Sequence, residues 1–232
     1  MLEQSKLTLR EYSNEAMFFI NKIKEMEDDS LRDGVQHVRD YLNSLKGLVP
    51  VYLYGIIEKT LTVCFSELFA IIKSYNLAYN KISCELYPFL FTDKLTAFKM
   101  ISTSKSKNLE KVSQVFQKIN DDDEISDLSL HYINENITNC RSHVLIDIYN
   151  LLGIDLQIDM RDRVTLDEIV ERRNAVAHGR EKPTVVYVKS ATDIIERHSL
   201  VVRVLDTCID TLECYLRNKM YMKESYRIET PQ

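Results

Sequence analysis

Apolar residues recur every three or four positions along most of the chain, the spacing that lines one face of an α-helix. Between Leu9 and Met26, Ala16, Phe19, Ile20 and Ile23 keep that interval, and the run Glu27-Asp28-Asp29-Ser30 is expected to end the segment. A longer helix is predicted from Leu48 to Ser74 on Leu53, Ile57, Leu61, Cys64, Leu68 and Ile72. Pro50 suits its first turn, where no intrahelical N–H bond is lost, and Pro88 is read as the end of the next segment. From Thr92 to Asn139 the chain turns more polar. A short helix carrying Leu109, Val112, Phe116 and Ile119 is expected there between two loops, Ser102–Lys107 and Asn120–Asp123. A helix from Cys140 to Leu152 stops at Gly153, which suits the left-handed conformation past a helix end. Thr165-Leu166-Asp167-Glu168 has capping-box spacing and is read as the start of a helix reaching His178, closed by Gly179 and Pro183. Val185–Val188 is expected to be extended. The last helix, Ser190 to Lys219, puts Ile194, Val201, Leu205, Ile209, Leu212 and Leu216 on one stripe.

Composition agrees with a helical chain. Only 5 Gly and 4 Pro occur in 232 residues, about a third of average usage, and the stretches Phe89–Leu152 and Thr184–Thr230 hold none. So few turn formers exclude a β-sandwich. With no internal repeat and no break in composition, residues 1–232 read as one all-α domain.

The net charge of −5 rules out a broadly basic face, so any nucleic-acid site is a local patch or a small cleft. The five cysteines (Cys64, Cys84, Cys140, Cys208, Cys214) form no CxxC pair and read as buried, reduced thiols of a cytoplasmic protein. Glu3, Lys6, Arg10 and Glu11 leave no room for an apolar signal segment. The longest uncharged apolar run, Leu48–Ile57, is about half a membrane span, so no membrane association is expected.

No glycine-rich phosphate loop, HExxH or Gly-x-Ser-x-Gly occurs. One histidine has suggestive company, His178 in Glu171-Arg172-Arg173-Asn174-Ala175-Val176-Ala177-His178-Gly179. On a helix Asn174 and His178 lie about 40° apart, whereas Arg173 and His178 lie about 140° apart. Arg173 must curl back, or meet the imidazole across an interface with a second helix, which small Ala175, Val176 and Ala177 would let approach. Arginine can hold a phosphate and neutralise charge growing on it, and histidine can move a proton near neutrality. RNA carries its own nucleophile, the 2′-hydroxyl, so the site calls for no metal and no cofactor. The plainer alternative is a histidine that caps the helix. Spacing does not decide between them, since Arg32 and His37 form a second Arg-x4-His match. Gly34 in its middle makes that one a surface feature.

Other patterns read as structural. Tyr52, Tyr54, Tyr75, Tyr79 and Tyr87 interleave with Leu and Ile as core or groove lining rather than as base-stacking platforms. His131 and His143 lack further metal ligands, Asp121–Asp123 reads as a solvated loop, and Arg161, Arg163 and Arg180 read as solvated surface or as guides for a phosphate.

The segment Arg173-Asn174-Ala175-Val176-Ala177-His178-Gly179 resembles the Arg-Asn-x-x-Ala-His-Gly signature of HEPN domains. Pro50-Val51-Tyr52-Leu53-Tyr54-Gly55-Ile56-Ile57-Glu58-Lys59-Thr60-Leu61, the Asn-rich Asn134–Asn139, Leu151–Asp155 and Tyr215–Tyr221 are similar, in order, to the MAE-type subgroup. The resemblance covers roughly residues 40–222, leaving 1–39 as an N-terminal helix and loop. It departs from the subgroup after Gly179 and between Thr92 and Ile125. It implies a bundle of long antiparallel helices with a polar central insertion, homodimerisation and, in active members, metal-independent RNA cleavage. Such proteins typically serve as toxins or effectors of toxin–antitoxin or phage-defence systems, with an antitoxin or defence-complex partner. Carried over, Arg173 and His178 take the catalytic positions, Asn174 the polar one beside the arginine, and Glu58 a supporting acidic position as a partner of Arg173. The competing expectation is a non-catalytic HEPN scaffold that dimerises, binds a nucleotide, or regulates a complex.

Overall fold

The computed structural model describes residues 1–33, 36–92, 105–187 and 189–227. Three long helices form its frame: α1 (Glu3–Asp33), α2 (Gln36–Ser74) and α9 (Ala191–Arg217). Between the last two lie α3 (Tyr87–Leu90), α4 (Lys105–Lys118), α5 (His131–Ile137), α6 (Ser142–Leu151), α7 (Met160–Ala177) and α8 (Pro183–Val186), and α10 (Glu224–Arg227) follows α9. No strand occurs among the described residues, and the fold is all-α.

Polar ties at both ends of α1 set the helix directions. At its start the Ser5 backbone N–H and hydroxyl donate to Glu67 of α2, and Lys6 pairs with Glu213 of α9 at 2.8 Å. At its end Glu27 pairs with Lys46 of α2 and accepts the Ala191 N–H that opens α9. Thus α1 runs antiparallel to both neighbours. One buried cluster fills the space between them, with Ile20 and Ile23 of α1, Leu53, Leu61 and Leu68 of α2, and Val201, Cys208 and Leu212 of α9. The α6 helix seals one side: fully buried Tyr149 sets its ring edge-on to Phe65 and donates its hydroxyl to the Cys208 carbonyl.

The helix limits depart from the sequence pattern where tertiary contacts outweigh local preference. The acidic run does not end α1, because Glu27 is tied on two sides. α2 begins twelve residues before Leu48 and holds Pro50 in its interior, where the ring costs about 3 kcal/mol; buried Leu42, Val49 and Leu53 on the same helix offset that cost. Pro88 sits in the first turn of α3 rather than closing a segment. α6 starts at Ser142, not Cys140, and α4 starts at Lys105, inside the expected loop, with 102–104 outside the described residues. α7 starts at Met160, and Thr165 lies within it, donating to the Arg161 carbonyl. Val185 and Val186 are helical, since Pro183 occupies a first helical turn and its backbone packs on Gly47; 188 lies outside the described residues. Gly153 does adopt the left-handed conformation after α6, and Ser190 caps α9 with Asp193 in a reciprocal box.

All five cysteines are free, but Cys84 and Cys214 are exposed rather than buried. No helix among the described residues is long and apolar enough to cross a membrane.

Candidate functional site

α7 rests on α2 and carries the Arg173–His178 segment at its C-terminal end. Arg173 turns back onto α2. Its guanidinium lies 4.3 Å above the Tyr54 ring, one nitrogen is 3.7 Å from Glu58, and another donates to Asn174 Oδ1 at 2.8 Å. The partnership of Arg173 with Glu58 expected from the resemblance is present as that ion pair. Asn174 is buried, and its Nδ2 donates to Asn139 Oδ1 at 2.8 Å, across from the turn after α5.

Tyr54 is fixed from the same turn. Its hydroxyl donates to the Ile137 carbonyl at 2.6 Å and accepts the Cys140 N–H at 3.1 Å. Burial pushes its phenol up to about 12, against the smaller opposing effect of the Cys140 N–H. It therefore remains a neutral donor over the physiological range, with its ring face offered to a cation.

His178 is the residue on which α7 ends. Its N–H donates to the Asn174 carbonyl, Gly179 follows at φ +65°, and the Arg180 N–H returns to the Ala175 carbonyl at 2.9 Å. Gly179 takes this φ without the strain that a side chain would carry there. The imidazole is exposed and has no hydrogen bond or ion pair to a described residue. Arg173 and His178 thus leave the helix in different directions, as the 140° separation requires, and no contact joins them. Ala175 is buried against its own chain, which corrects the expectation that it lies open to a second helix; Ala177 is exposed.

Charged residues crowd this end of α7. Glu171 holds Arg141 at 2.6 Å and Arg180 at 3.2 Å, and the Arg141 hydrogen bond keeps its carboxyl below the ordinary range. Arg172 faces Glu181 at 3.7 Å. Asp167 accepts the Ser142 N–H and hydroxyl, supplying the start of α6 with a cap from another helix. Of the arginines considered as phosphate guides, Arg163 donates to the Ile158 carbonyl, Arg180 is held by Glu171, and Arg161 is exposed.

The remaining sequence features fall elsewhere. Tyr54 and Tyr79 are buried, whereas Tyr52 and Tyr75 are exposed and stack on Phe19 and Tyr221. Asp121 and Asp123 engage Lys118, Asp122 accepts from Asn80, and His131 pairs with Glu135. No group of three His, Cys, Asp or Glu among the described residues is placed to hold a metal. The side chains of Arg32 and His37 lie outside the described residues.

Sequence reasoning missed the parts played by Tyr54 and Asn139. Both stand in segments that the family resemblance had marked, but their partners lie 83 and 35 residues away in the chain, beyond any spacing rule.

A family model described as MAE_28990-like HEPN matches residues 1–221. No curated protein and no solved structure gives a match. The match begins at residue 1 and so takes in α1, which ties α2 to α9 at both of its ends.

Proposed function

Because the chain belongs to the MAE-type HEPN family, we propose that it is a metal-independent endoribonuclease, one domain over residues 1–232. The observation that carries this reading is the end of α7, which carries both a guanidinium held in place by three contacts and, five residues on, an exposed imidazole with no hydrogen bond or ion pair to a described residue. In the proposed reaction the 2′-hydroxyl attacks the adjacent phosphorus, its proton passes to a histidine, the P–O5′ bond breaks, and O5′ takes a proton as it leaves. Arg173 holds the phosphate and offsets the charge that grows on it. His178 is the proton-transfer group, Asn174 orients Arg173, and Glu58 supports it from α2.

A homodimer completes this chemistry. A second histidine lets one imidazole take the 2′-hydroxyl proton while the other gives a proton to O5′, and a two-fold interface brings two histidines and two arginines to one axis. The role in view is that of a toxin or effector in a bacterial toxin–antitoxin or phage-defence system, working in the cytoplasm and restrained by an antitoxin or defence-complex partner.

One observation favours a second reading. Arg173 is braced by three groups of its own chain, as it would be in a scaffold that keeps the motif for folding and dimerises or binds a nucleotide. The two readings part on a single assay: purified protein in EDTA with a single-stranded RNA and its all-deoxy counterpart. The endoribonuclease cuts the RNA to 2′,3′-cyclic phosphate ends and spares the DNA. The scaffold cuts neither, and a strict Mg²⁺ requirement overturns the mechanism.

A further inference from the structure

We infer that Asn139, in the turn between α5 and α6, is a positioning residue that sets the guanidinium of Arg173 by fixing the amide of Asn174. Its consequence for catalysis rests on the reading of Arg173 as the phosphate-holding group; the positioning itself does not.

A guanidinium only donates, so Asn174 serves Arg173 only with its oxygen turned toward it. That orientation leaves the Nδ2 end of a buried amide needing an acceptor, and Asn139 Oδ1 is that acceptor at 2.8 Å. Without it the buried N–H₂ is orphaned, and the side chain gains by leaving the arginine for water. The same short turn also fixes the second restraint, since Ile137 and Cys140 hold the Tyr54 hydroxyl and so the ring beneath the guanidinium. Only the 3.7 Å pair with Glu58 is independent of residues 137–140. Two unrelated contacts on one arginine therefore trace to a single turn. Asn139 itself is exposed, so its substitution need not disturb the core.

The test uses the full chain with two readouts. Arginine side-chain NMR, with the Arg173 signals identified by their loss in Arg173→Lys, reports how freely the guanidinium turns. Resolved Arg173 Nη signals are expected in the wild type and in Asn139→Asp, which keeps an acceptor, and averaged signals in Asn139→Ala. In RNA cleavage, Asn139→Ala is expected to lower kcat by about 10²-fold, the effect of misplacing a catalytic group by about 1 Å, with little change in KM. Because Asn139 acts through Asn174, adding Asn139→Ala to Asn174→Ala should cost nothing more. Unchanged Arg173 signals in Asn139→Ala overturn the inference, as does a full further loss in the double variant. A wild type that cuts no RNA while its Arg173 signals still depend on Asn139 sinks the ribonuclease reading and leaves the positioning role standing.

Discussion

Gly47→Ala and Gly55→Ala put the same methyl group on the same helix, two turns apart, in opposite surroundings. A Cβ at Gly47 would lie 2.0 Å from the Pro183 carbonyl oxygen and 2.5 and 2.6 Å from its carbonyl carbon and Cα. These are backbone atoms and cannot swing aside, so α8 must lift from α2. α8 buries Val186, and buried Tyr187 follows it. Forcing in a methyl group costs about 1–3 kcal/mol, and partial exposure of Val186 adds to this on a scale of about 1.5–3 kcal/mol for a fully buried side chain. The alanine gain in helix propensity returns about 1 kcal/mol, leaving a net loss of about 3 kcal/mol. At about 2–4 °C per kcal/mol for a chain of this size, Tm should fall by about 6–12 °C. A Cβ at Gly55 meets nothing within 4 Å, so only the propensity gain remains, and Tm should rise by about 2–4 °C. Thermal unfolding followed by circular dichroism at matched concentration reads both. Because α8 begins five residues after His178, Gly47→Ala should also lower RNA cleavage at a temperature where the protein is still folded. A Gly47→Ala protein as stable as the wild type would refute the packing of α8 on α2.

Three further outcomes follow from the same contacts. Tyr54→Phe keeps the ring under Arg173 but removes the two hydrogen bonds of its hydroxyl, leaving the Ile137 carbonyl and the Cys140 N–H only their 3.2 Å bond to each other, a cost of about 1–3 kcal/mol; an unchanged urea midpoint contradicts it. Glu213 is pushed up by burial, yet hydrogen bonds from Lys6, the Leu2 N–H and the terminal amine bring it to about 2 from 4.5. Its stabilisation is therefore complete above about pH 4.5 and lost as pH falls toward 2, amounting to about 1–2 kcal/mol after screening at the part-exposed Lys6; Glu213→Gln should flatten acid unfolding over that window, and an unaltered profile rules it out. Mixing Arg173→Ala with His178→Ala subunits should restore part of the RNA cleavage that each lacks alone, read alongside solution mass by light scattering, whereas a monomer with full activity removes the composite site.

What could be read from the sequence follows the range of the interactions involved. α9 was legible because its apolar stripe lies within the helix, and the Ser190–Asp193 cap that the structure adds at its start is equally local. The end of α7 was legible for the same reason, since His178 and Gly179 are a local stop signal. α1 past Glu27, α2 before Leu48, and helical Val185 and Val186 were not, because each is decided by a contact with a distant residue: Lys46 and Ala191 for Glu27, and Gly47 for Pro183. Thr165 misled because a capping-box pattern also occurs inside helices, where the hydroxyl bonds the preceding turn. At the site, the motif pointed to Arg173, Asn174 and His178, and the family resemblance pointed to Glu58. The bracing of Arg173 by Tyr54 and Asn139 depends on where the turn at 137–140 meets α2 and α7, which no spacing encodes.

The most direct measurement is the rate of cleavage of one RNA oligonucleotide in EDTA by wild type, Arg173→Ala and His178→Ala, each first matched for helical content. If the end of α7 is the catalytic centre, both variants fold as the wild type does and cleave about 10²- to 10⁴-fold more slowly. Equal rates from all three would contradict it.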